Sequence, residues 1–103
     1  MFTVIETSTF TRMVDDYWNE DERSEFAVWI AAHPESGDVV PGSGGCRKVR
    51  WSRSGMGKRG GVRVIHYNRL ENGEIYLLLI YAKSARDNIA PEILLKMKDA
   101  LCL

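Results

Sequence analysis

The sequence has only two cysteines among its 103 residues, Cys46 and Cys102, with no Cys-x-x-Cys pair. A disulfide scaffold and a thiolate metal site are therefore not expected. Long apolar runs are missing as well. The longest, Ile75–Ala82, has eight residues, against about 20 needed to span a bilayer. The first residues, Met-Phe-Thr-Val-Ile-Glu-Thr-Ser, contain no basic stretch followed by an apolar core. No secretory leader and no membrane association are expected, and the thiols read as reduced in the cytoplasm. There is no internal repeat and no low-complexity tract. Net charge is also absent: 14 basic residues balance 14 acidic ones. Taken whole, that zero argues against a nucleic-acid partner.

The charges, however, are sorted along the chain. Residues 1–45 carry two basic and nine acidic groups, and residues 70–103 carry four and five. Between them, residues 46–69 carry eight basic groups and no acid. The zero sum hides a strongly cationic segment. Apolar content of 45% and charged content of 27% indicate one folded domain over residues 1–103, large enough to bury roughly two-thirds of its unfolded surface.

Periodicity orders the elements. Residues 2–6 form a β-rich run ending at a Thr-Ser-Thr cluster that suits a helix N-cap. Phe10, Met13, Val14, Tyr17 and Trp18 follow helical spacing. Asn19, with Glu22 three residues on, suits a capping box for a second helix with Phe26, Trp29, Ile30 and His33 on its core-facing stripe, closed by Pro34. Residues 35–45 read as a glycine-rich loop. Cys46–Trp51 alternates, with Lys48 and Arg50 on one face and Val49 and Trp51 on the other. Residues 52–61 read as a second loop, 62–67 as a strand, Glu71-Asn-Gly as a hairpin turn, and Ile75–Ala82 as a central strand, apolar on both faces. Pro91 opens a final helix. The order β-α-α-β-β-β-α predicts an α+β fold with a small, mainly antiparallel sheet and helices packed on it.

Few residues carry chemistry. Gly55-Met-Gly-Lys-Arg-Gly matches a dinucleotide-binding pattern, but a β-branched run follows where that motif requires a helix. His33, Cys46, His66 and Cys102 lack metal-ligand spacing, and no metal or cofactor is expected. Trp18, Trp29, Phe10 and Phe26 read as core, and the acidic groups between Asp15 and Glu22 as solvated helix ends. Arg47, Lys48, Arg50, Arg53, Lys58, Arg59, Arg63 and Arg69 are different, because no acid lies among them. Unpaired like charges destabilise a hairpin, and an anionic partner relieves that penalty. A phosphodiester backbone fits arginine forks and lysine point charges. By alternation, Lys83 joins the face of Tyr81.

At these residues the sequence resembles the RelE-type toxin superfamily of bacterial toxin–antitoxin systems, and its HigB-like branch in particular. The likeness runs through Phe2–Phe10, the block from Ala32-His-Pro to Arg-Lys-Val-Arg50, Gly55–Tyr67 and Ile75–Lys83, in the family's order. It implies a metal-independent endoribonuclease that cuts mRNA on the ribosome and is neutralised by an antitoxin, expected to carry a helix-turn-helix. By position it assigns Lys48 and Arg50 to the active surface, Arg63 to the scissile phosphate, and Lys83 and Tyr81 to the end of the last strand. Arg47, Arg53, Lys58, Arg59 and Arg69 then contact RNA or ribosome. Ser84 stands where other members carry arginine, and Ala90 near the place of a tyrosine. The general base and acid are thereby left open between Lys48 and Lys83, with His66 on the opposite face by alternation. A gyrase poison of the ParE type and a non-catalytic nucleic-acid-binding module are the alternatives.

Overall fold

The computed structural model describes the backbone of residues 2–53, 57–83 and 89–101, with side chains described outside residues 52–60. Chain order is β1 (Thr3–Glu6), α1 (Ser8–Val14), α2 (Glu20–Ala32), β2 (Asp38–Val39), β3 (Arg47–Arg53), β4 (Gly57–Arg69), a 3₁₀ turn (Leu70–Asn72), β5 (Glu74–Ala82) and α3 (Pro91–Asp99). The sheet runs β1-β5-β4-β3-β2, antiparallel except where β1 joins β5 in parallel. This is the expected α+β architecture with one small strand added. β2 escapes sequence reading because both its residues are exposed and carry no alternation.

Local chemistry starts each helix. Thr7 caps α1 by accepting from the Phe10 amide at 3.3 Å, while its hydroxyl donates to the Leu77 carbonyl at 2.9 Å. That one side chain therefore ties the helix start to the central strand. Asn19 and Glu22 form the reciprocal capping box, with bonds of 2.8 and 2.9 Å. α1 is shorter than its stripe suggests, since Asp15 and Asp16 are unfavourable at a helix C-terminus. Tighter turns follow, with the Tyr17 and Trp18 amides both reaching the Val14 carbonyl, and they still bury Trp18.

The sheet carries a core on each face. α1 and α2 bring Phe10, Val14, Trp18, Phe26 and Ile30 onto Val49, Val62, Val64, Ile75, Leu77 and Ile80. α3 brings Leu94 onto Cys46, Ile65, Leu78, Leu79 and Tyr81. The change of face along β5 has a visible cause. The register shifts between Ile65 and His66, which pair with Leu79 and Leu77, so Leu78 has no opposite residue on β4. This bulge turns both Leu78 and Leu79 toward α3, and Ile80 back toward α1 and α2.

Two expectations need correction. The stretch from Gly57 to Gly61 is strand rather than loop, since β4 begins at Gly57. A strand there also removes the strand-to-helix turn that the glycine pattern would require. His33 is not on the core-facing stripe. It is the exposed C-cap of α2, because the helix ends at Ala32 and the chain leaves the core there.

Candidate active site

Pairing across three strands assembles the cationic row. Arg50 on β3 stands opposite Arg63 on β4, and Arg63 stands opposite Tyr81 on β5. One step along, Lys48 pairs with Ile65 and Ile65 with Leu79. Lys48, Arg50, Arg63 and Tyr81 thus share the α3 face of the sheet. Lys83 sits just past β5, where its amide donates to the Gly61 carbonyl at 3.2 Å and its side chain is exposed. The β5 bulge matters to this set. Ile75 and Leu77 face α1 and α2, so unbroken alternation would have sent Tyr81 there as well.

Burial separates the two arginines. Arg50 is exposed, whereas Arg63 retains only 9% exposure. Among the described residues the one polar contact of the Arg63 guanidinium is Nη1 to the Val62 carbonyl at 3.5 Å, with no carboxylate in ion-pair range. A like-charged residue directly opposite it on the next strand destabilises the free sheet. Burying an uncompensated guanidinium adds to that. An anion bound against this row would offset both penalties. Lys48 is half-buried and lines a cavity of about 20 Å³ with Val40, Ile65, Tyr81, Ile89 and Leu94. On the other side of Tyr81 an apolar cleft of about 450 Å³ runs past Met13, Leu79, Ile93 and Met97.

Other cations of the segment lie elsewhere. Arg47 projects from the opposite face of β3, where Nη1 donates to the Glu35 carbonyl at 2.9 Å and the Gly37 carbonyl at 3.2 Å. Arg69 sits six residues beyond Arg63 on β4, about 20 Å along the strand, where it pairs with Glu71 at 3.8 Å. The side chains of Arg53, Lys58 and Arg59 lie outside the described residues, as does Ser84. Ala90 is the N-cap position of α3 and offers no side-chain cap.

His66 faces away from this row and is fully buried. Its Nε2 lies 3.1 Å from the Ser36 carbonyl and its Nδ1 2.9 Å from Asn68 Oδ1, while Asn68 Nδ2 donates to the Pro34 carbonyl. Sequence reading weighed His66 for proton transfer and missed its partners, although Asn68 two residues on shares its strand face. Burial holds the His66 pKa below the usual histidine value, the nearby Arg47 lowers it further, and the bonds to Ser36 and Asn68 oppose both. The unfolded chain therefore binds the proton more readily. Stability contributed by His66 is present above the ordinary histidine pKa and falls as pH drops through it. Urea midpoints at pH 7.5 and 5.5 are expected to fall further for the native chain than for His66→Gln; equal falls would contradict this.

No family model matches the sequence. A solved structure does. An arginine-to-alanine double mutant of the E. coli toxin RelE, in the free state, matches with a TM-score of 0.59 over 84% of this chain and 87% of that one. The fold is that of RelE. Sequence identity is only 13%, so the RelE fold is maintained here by a largely different set of side chains. Among the described residues no group of three or more His, Cys, Asp or Glu could hold a metal ion, and no helix is long and apolar enough to cross a membrane.

Proposed function

We propose that this protein is the toxin of a toxin–antitoxin pair and an endoribonuclease that cuts mRNA on the ribosome, with charge stabilisation by side chains instead of a metal ion. The observation that carries the reading is the Arg50–Arg63 pair, in register on adjacent strands, with Arg63 buried and, among the described residues, no acid beside it. The RelE fold and the resemblance of the basic block support it, and in this reading a helix-turn-helix antitoxin covers the surface until it is removed.

The chemistry suits the arrangement. The ribose 2′-oxygen attacks the adjacent phosphorus as a base takes its proton. The phosphorus–O5′ bond breaks as an acid protonates the leaving oxygen, giving a 2′,3′-cyclic phosphate and a 5′-hydroxyl. The pentavalent intermediate carries extra negative charge, which Arg63 and Arg50 stabilise from fixed positions. In this reading Lys48 and Lys83 carry the proton transfers, and Tyr81, whose hydroxyl is buried, flanks Arg63 on the next strand. Mapping mRNA 5′ ends after brief induction in cells tests the reading. Cleavage in phase with codons is the expected result. Intact messages accompanied by DNA damage and filamentation would replace it with a ParE-type gyrase poison.

A further inference from the structure

A column of rings rises from the α1/α2 core to the surface. Buried Phe26 meets Trp51 edge-to-face at 5.1 Å, Trp51 meets Trp29 at 4.7 Å, and Trp29 stacks on His33 at 4.8 Å with planes 23° apart. Trp29 and Trp51 are half-buried and His33 is exposed. His33 Nδ1 lies 2.9 Å from the Trp29 carbonyl. A carbonyl only accepts, so Nδ1 carries a proton there. Among the described residues Nε2 has no partner.

Beside His33 opens a cleft of about 280 Å³, completed by Pro34, Glu35 and Ser36. Its walls are fixed in advance. Asn68 donates to the Pro34 carbonyl, Arg47 to those of Glu35 and Gly37, and His66 bonds that of Ser36, so four consecutive carbonyls are held from the sheet. Little ordering entropy remains to be lost on binding. Glu35 in the cleft wall disfavours a phosphate, but not the neutral face of a base. Beyond the short β2 pairing at Arg47 and Lys48, the outer edge of β3 has no strand against it among the described residues. Arg50 and Trp51 therefore flank that edge from opposite faces.

We infer that His33, stacked on Trp29, which Trp51 backs in turn, is a base-stacking ledge for single-stranded RNA whose backbone crosses the edge of β3 at Arg50. This rests on the proposed function only in taking the strand to be RNA. Stacking tolerates any base, so the ledge adds affinity with little sequence preference.

The test uses the full chain and a 2′-O-methylated oligonucleotide, which lacks the attacking hydroxyl and stays uncut. Affinity is measured at several salt concentrations. His33→Ala is expected to weaken binding about 5- to 10-fold without changing the salt slope, and His33→Phe to restore it. Arg50→Ala, by contrast, should lower the slope by about one. Unchanged affinity in His33→Ala, a loss that comes with a reduced salt slope, or no binding by the native chain would each overturn the ledge. Because the probe cannot be cleaved, the ledge can fail while codon-phased cleavage stands, and cleavage can be absent while the ledge holds.

Discussion

Replacing Arg63 by alanine is expected to remove growth inhibition while leaving the chain folded. Loss of one fixed donor to a developing oxyanion lowers turnover by about 10²–10³, and Arg63 is the more deeply buried of the two arginines facing the proposed phosphate position. Lysine should not rescue it, because an ammonium lacks the planar fork that holds two phosphate oxygens. The stability change is the more telling half of the experiment. Arg63 stands opposite Arg50 with no acid in reach among the described residues, so an apolar side chain that fills the same space relieves a like-charge repulsion worth about 0.2–1 kcal/mol. Arg63→Leu is therefore expected to be inactive and at least as stable as the native chain in urea. A toxic, well-folded Arg63→Ala chain would remove Arg63 from the site. An Arg63→Leu chain destabilised by several kcal/mol would show instead that the guanidinium is structural.

How far the sequence specifies this site depends on the range of the interactions involved. Local signals were legible. The Asn19–Glu22 capping box, the Pro91 helix start and the alternation that puts Lys48 and Arg50 on one face all act within a few residues, and all are present. Interactions between distant segments were not legible. The Leu78 bulge lies inside Ile75–Ala82, a strand buried on both faces, where apolar residues fit either orientation and alternation carries no information. Yet that bulge decides whether Tyr81 faces Arg63 or the helices. Arg47 looked like one more cation of the basic segment, but its guanidinium reaches carbonyls 10 and 12 residues away. Its partners are backbone atoms, which leave no trace in residue identity. His33 fitted the helical stripe by spacing, and only the end of α2 at Ala32 placed it outside the core.

Among Gly37, Gly42, Gly44, Gly45 and Gly73, Gly37→Ala should have the largest effect on folding. Gly37 holds φ +84°, a region that residues with a Cβ adopt at a penalty of about 1–3 kcal/mol. A methyl group there would also overlap the Lys48 carbonyl oxygen and come within 2.8 Å of Val49 Cγ2. The first of these is strand backbone and cannot swing aside, so the clash adds roughly 1–3 kcal/mol more. Together they predict a loss of about 4 kcal/mol, or roughly 15–30 °C in Tm for a domain of this size. The consequences extend beyond stability. Gly37 is the last of the four residues whose carbonyls Asn68, Arg47 and His66 hold, and Lys48, whose backbone would have to move, belongs to the cationic row. Gly73 provides the control, since it has φ +69° but open space around it. Gly73→Ala should therefore lose only the conformational part. A thermal scan in which both variants fall equally would show that backbone conformation alone, and not the contact with β3, fixes the loop.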